Sequence, residues 1–182
     1  MSLIILRIES NTTHDMNIFS IAKDLFLTID CLNIGSDWII HTKETKEHIK
    51  EGLNNLYNDL MINFIGYIGN DDEDIELIRS ILPKKVYKRT VYDEKKIAQY
   101  VIKNNIISEF HPFKKYKLNH EILETIKAFL ENNMNVSKTA EKMYLHRNTL
   151  IQRLEKFKRD TNYDLKKFED AFICSYYLIP EI

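Results

Sequence analysis

The chain has 182 residues, 44% of them hydrophobic, and its 26 Lys and Arg nearly balance 27 Asp and Glu. That length suits one ordinary domain or two small ones, and that hydrophobic content excludes a globally disordered chain. No stretch reaches the ~18 apolar residues of a membrane helix, and Arg7 interrupts the N-terminal apolar run before it attains the length of a signal-peptide core, so a soluble cytoplasmic location is expected.

Residues 3–8, "LIILRI", are an apolar β-rich run and predict a strand. The segment "MNIFSIAKDLF" repeats apolar residues at Ile18, Ile21, Ala22 and Leu25, which predicts a helix over 16–26. "IDCLNIGSDWIIHT" reads as a hairpin around Gly35-Ser36-Asp37, where Gly and Asp supply the backbone freedom of a turn. Ile49, Leu53, Leu56 and Leu60 then recur at steps of four, three and four on an amphipathic helix, and "NFIGYIG" follows as a buried strand. The acidic cluster Asp71, Asp72, Glu73, Asp74 and Glu76 suits the positive end of a helix capped at Asn70 or Asp71 and stopped by Pro83; it lacks the ligand spacing of a calcium loop. An extended piece at "KVYKRTVY" and a helix at "DEKKIAQYVIKNN" complete this half, and Pro112 marks a boundary. From Asn119 onward four helices are predicted, with apolar stripes at Ile122, Ile126, Phe129 and Leu130; at Ala140 and Met143; at Leu150, Leu154 and Phe157; and at Leu165, Phe168, Phe172, Tyr176 and Ile179.

Charge is distributed unevenly. Residues 137–159, "SKTAEKMYLHRNTLIQRLEKFKR", hold seven Lys and Arg against two Glu. At about 100 degrees per residue, Thr149, Gln152, Arg153 and Lys156 share one side of a helix while Leu150, Leu154 and Phe157 share another. A helix with one dry and one hydrogen-bonding face, preceded by a short helix around the small Ala140, has the design of a helix-turn-helix. Lys138, Lys142, Lys158 and Arg159 suit phosphates; Arg147, Asn148, Gln152 and Arg153 carry the forks and amides that read base edges; Thr149 suits a base or phosphate, Lys156 joins the DNA-facing side, and His146 and Arg147 stand near the helix start. Taken alone, the same residues equally describe a solvated surface helix.

The run of residues 122–179, with "FLENN", "NVSKTAEKMYLHRNTL", "RLEKF", "DL" and "EDA", resembles the C-terminal helix-turn-helix of the PucR and CdaR family of bacterial transcription regulators; "HRNTL" also resembles the DNA-binding end of Fis. The resemblance implies DNA contacts at Arg147, Asn148, Thr149 and Arg153. Gln152 departs from it, because family members often carry an aromatic residue there. Asn162 replaces a usual Gly, which a left-handed backbone accommodates, and the turn itself lacks a Gly.

Such regulators often carry a degenerate GGDEF-like domain ahead of the helix-turn-helix, and the strand-helix-strand-strand-helix-strand order resembles it, with "IGSDW" at the hairpin. Only the Gly and Asp types survive there; with Ser36 and Trp38 beside them and Glu9 the one acid close after the first strand, no cyclase activity is expected. Trp38 suits a core position. Cys31 and Cys174, far apart, suit buried thiols, and His14, His41, His48, His111 and His120 form no metal-ligand spacing.

The expected fold is thus α+β: an N-terminal α/β sandwich of ferredoxin-like and GGDEF-like type at 1–110, sensory or dimerising, a linker at 111–118, and an all-α, Fis-like helix-turn-helix bundle at 119–182. The expected function is sequence-specific binding of double-stranded DNA by a homodimer, with a recognition helix at about 147–159 in the major groove and no enzyme activity, cofactor, metal or membrane partner. Its effector is unknown. The alternative is a nucleotide- or metabolite-binding or protein-interaction module that has lost DNA binding.

Overall fold

A computed structural model describes residues 1–8, 20 and 23–179, the side chains of residues 59 and 60 excepted. The chain divides into two compact units, Met1–Phe110 and His111–Ile182. The helix expected over 16–26 falls largely outside the described residues; of those described in that range, 20 and 23–25 are helical. Glu9 and His14 also lie outside the described residues.

The first unit is built on a five-stranded sheet of order β2-β3-β1-β4-β5, comprising β1 Ser2–Ile8, β2 Thr28–Ile34, β3 Asp37–Thr42, β4 Phe64–Asn70 and β5 Thr90–Tyr92. Neighbouring strands among the first four are antiparallel, in the order of the ferredoxin-like split βαβ unit, and β5 extends the sheet by parallel pairing with β4. Helix α1, Lys46–Leu60, packs on one face; α2, Ile75–Ile81, and α3, Glu94–Lys103, cover the other.

This layering explains the unbroken apolar run of β1. Ile4, Leu6 and Ile8 face Ile49, Leu53 and Leu56 of α1, whereas Leu3 and Ile5 face Ile78, Ile97 and Val101 of α2 and α3. A strand covered on both faces reads as continuous hydrophobicity. The unit therefore has three layers, one more than a two-layer sandwich. Gly52 occurs inside α1 because Phe26 presses on it: a Cβ there would lie 2.6 Å from Phe26 Cε1.

The hairpin forms as expected, with a two-residue turn whose Gly35 takes φ +66°. Other expectations need correction. The cap of α2 is Asp74, which accepts from the Leu77 backbone N–H, not Asn70, which ends β4, nor Asp71. The acids upstream are otherwise occupied: Asp71 pairs with His41 at 2.5 Å, while Glu73 accepts from the Tyr67 hydroxyl and the Asn70 backbone N–H. Cys174 is buried but Cys31, on the edge strand β2, is half-buried, because only one neighbouring strand shields it. Trp38 packs partly buried against the α1 face of the sheet.

The second unit contains α4, His120–Glu131; α5, Val136–Lys142; α6, Arg147–Thr161; and α7, Phe168–Leu178. Asn119 and Asn135 cap α4 and α5 through their side chains. Ile126, Phe129, Ala140, Leu150, Leu154 and Phe157 are buried. The stretch 111–118 is not a free linker: Phe113 is 2% exposed, with its ring 4.7 Å from that of Tyr163 and 6.2 Å from that of Phe157.

The stripe expected on the last helix is rotated. Leu165 and Ile179 are buried, but Phe168, Phe172 and Tyr176 are exposed, and α7 turns Asp170, Ala171, Ile173 and Cys174 inward. The Asp170 carboxylate accepts from the Asp164 backbone N–H at 2.8 Å, a buried polar tie that helps fix this rotation.

Candidate nucleic-acid interface

The geometry of the basic stretch starts at the turn between α5 and α6. Tyr144 takes φ +53°, and the backbone N–H of Leu145 closes the end of α5 on the Ala140 carbonyl at 2.9 Å. This left-handed residue does the work of the glycine that the turn lacks. His146 then caps α6: its Nδ1 accepts from the Asn148 backbone N–H at 3.2 Å, so the neutral ring carries its proton on Nε2.

Leu150, Leu154, Phe157 and Thr161 form the buried seam of α6, and the small Ala140 and buried Thr139 of α5 permit close approach. On the opposite side Asn148, Gln152, Lys156 and Arg159 are exposed, and Arg147 is exposed at the helix start. On α5, Lys138 and Lys142 are also exposed. Among the described residues neither Lys138, Arg147 nor Arg159 takes part in an ion pair. The dry and wet faces thus separate as the spacing of the residues implies.

Several cations have neighbours within the unit. Lys142 pairs with Glu131, Lys156 with Asp160 and Lys158 with Asp164, each at 2.9 Å. Thr149 is half-buried. Arg153 differs most from the other expected contacts: its side chain is only 22% exposed, and its guanidinium donates to Glu121 Oε1 at 2.5 Å and Thr125 Oγ1 at 3.4 Å, both on α4. It lies at the border of the polar face, tied to the helix behind it.

No local spacing signals Glu121 and Thr125, because their pairing with Arg153 spans some thirty residues. Tyr144, 97% exposed beside the start of α6, also stands outside the expected set of contacts. Its signal was a bulky aromatic residue at the position of a turn.

In the first unit the hairpin Asp37 is engaged in a buried network. Arg7 Nε and an amino group donate to its two oxygens at 2.6 and 2.8 Å, and Arg79 Nε donates at 2.9 Å. The remaining Arg7 donors reach the carbonyls of Arg79, Leu82 and Pro83 at 2.9–3.0 Å. Burial alone would raise the Asp37 pKa, but these hydrogen bonds and positive charges hold it below the usual carboxylate value. Both oxygens are committed to arginines.

Comparison with known proteins agrees with this geometry. Residues 122–178 match the PucR C-terminal helix-turn-helix domain. Over 58 residues the chain is 47% identical to the uncharacterized protein YxkF of Bacillus subtilis (strain 168), a match covering 30% of this chain and 20% of that protein. Over 42 residues it is 43% identical to the purine catabolism regulatory protein of the same organism, covering 23% and 8%. The chain spans a fifth or less of the length of these curated relatives. The crystal structure of a regulator of polyketide synthase expression from Bifidobacterium adolescentis is similar in fold, with a TM-score of 0.50 over 97% of this chain and 77% of that chain at 13% identity.

Proposed function

We propose that this chain, whose residues 122–178 are a PucR-type helix-turn-helix domain, is a transcriptional regulator that binds double-stranded DNA as a homodimer. The observation that carries this reading is the exposed polar face of α6, with Asn148, Gln152, Lys156 and Arg159 opposite the buried Leu150, Leu154 and Phe157 and with Arg147 at the helix start. The start of α6 enters the major groove. There Arg147, Asn148 and Gln152 present a guanidinium fork and amides to base edges, and His146 offers its Nε2 proton. Thr149 and Arg153 border this face. Lys138, Lys142 and Lys156 approach phosphates, which displace Glu131 and Asp160 from the latter two.

A 15-residue helix is about 22 Å long and reads only a few base pairs, so two copies on half-sites roughly one DNA turn apart supply the specificity. The first unit is assigned as a degenerate GGDEF-like domain with a sensory or dimerising role. Its strand order and hairpin support that kinship, and the commitment of Asp37 to two arginines argues against a catalytic one. A DNA partner places the protein in the cytoplasm, and no described helix is long and apolar enough to cross a membrane.

Titration of fluorescent genomic fragments from the source organism at several salt concentrations tests the proposal. The expected result is fragment-selective binding whose log K falls linearly with log salt, and Lys138→Gln should lower that slope by about one phosphate's worth. Absence of binding at low salt, or binding indifferent to salt, would overturn it in favour of a metabolite or protein partner.

A further inference from the structure

A recess of about 470 Å3 opens on the first unit where α1, the approach to β5 and the first turn of α3 meet. Lys50 and Asn54 come from α1, Lys88 and Arg89 from the approach to β5, Thr90 from β5 itself, and Lys96 from α3; no carboxylate lines it. The local sequence explains the convergence. In "KKVYKRT" Val86 is 6% exposed and anchors the segment in the core, while Lys88 and Arg89 remain exposed beside α1.

Arg89 is held in place before any ligand arrives. It donates to Asn54 Oδ1 at 2.9 Å, and its guanidinium lies 4.7 Å from the centroid of the Tyr57 ring. Lys96 Nζ is oriented by one hydrogen bond to the Val91 carbonyl at 2.9 Å. Asp93, whose carboxylate stands 3.8 Å from Lys50 Nζ, does not line the recess. Four cations around one concavity repel one another, and an anion entering it relieves that repulsion.

We propose that this recess binds the diphosphate or triphosphate group of a small molecule. Four cations match the several charges of linked phosphoryl groups. An oriented guanidinium beside three ammonium groups, one of them anchored on the Val91 carbonyl, is suited to non-bridging phosphate oxygens, with Asn54 and Thr90 as neutral partners. The volume lies within the range of small-molecule sites. None of residues 34–38 lines it, so it is separate from the β2–β3 hairpin, and it stands whether or not α6 binds DNA.

Calorimetric titration of the full chain with inorganic pyrophosphate, at fixed ionic strength, tests this. ATP in a parallel titration distinguishes a nucleotide source from free phosphate, and citrate serves as the carboxylate control. Pyrophosphate should bind one per chain and saturably, ATP at least as well if the source is a nucleotide, and citrate at least tenfold more weakly. The double variant Lys88→Gln/Arg89→Gln should lose at least tenfold in affinity, whereas Arg147→Ala should bind as the parent does. The single variant Lys88→Gln should show a smaller loss in the same direction, which guards against misfolding of the double variant. Equal affinity for citrate, an undiminished double variant, or no saturable binding overturns the proposal. Loss of DNA affinity in the double variant without pyrophosphate binding would instead make the recess part of a DNA surface.

Discussion

Arg147 and Arg153 look equivalent as side chains, but their surroundings separate them. Arg147 is exposed with no ion pair among the described residues, whereas Arg153 is mostly covered and bonded to Glu121 and Thr125. Any base contact by Arg153 must first break that ion pair. Arg147→Ala is therefore expected to weaken specific DNA binding by about 1–3 kcal/mol and to leave the thermal midpoint unchanged. Arg153→Ala is expected to cost up to about 1 kcal/mol of folding stability, because Glu121 remains 59% exposed and water screens the pair. Denaturant titration of Arg153→Ala, Glu121→Gln and the double variant checks this. Additive losses would show that the pair contributes nothing.

At the scale of elements, the connection between α5 and α6 holds a non-glycine residue in the left-handed region, at a cost of about 1–2 kcal/mol. Tyr144 is 97% exposed, so the cost is not offset by burial in this unit. Tyr144→Gly should raise stability by about 0.5–1 kcal/mol, the relief being partly cancelled by the greater freedom of glycine in the unfolded chain. An unchanged or lowered urea midpoint would mean that the ring contributes to folding. Asn162 occupies the left-handed end of α6 at φ +63°, as its side-chain type allows. The rotation of α7 shows the limit of such reading: "FEDAFICSYYL" is apolar on more than one side, so its periodicity does not specify an inward face.

For the whole molecule, the Arg7–Asp37–Arg79 network joins β1, the β2–β3 hairpin and α2 across long sequence separations. Removing its one central carboxylate leaves two guanidinium groups without it, and Asp37→Asn should destabilise the first unit by about 3–5 kcal/mol. The depressed pKa fixes the sign of the pH dependence. Asp37 adds stability that is complete above its unfolded value of about 3.9 and is lost as pH falls through the lower folded value. Acid titration monitored by circular dichroism should show the parent losing stability below about pH 4, with a shallower slope for Asp37→Asn. Identical slopes would sink the assignment.

By itself the sequence determined the local features whose causes are local: the helical pattern from Asn119 onward, the hairpin at Gly35-Ser36, the strand β1, and the dry seam Leu150, Leu154 and Phe157 against the polar side of α6. Each follows from neighbours within about a turn or a strand pair. Tertiary structure alone decided that Arg153 turns to Glu121, that Asp37 is enclosed by two arginines, that 111–118 packs as part of the second unit, and that four cations from three elements surround one recess. Those outcomes depend on which distant groups share a desolvated space, and spacing along the chain carries no record of that.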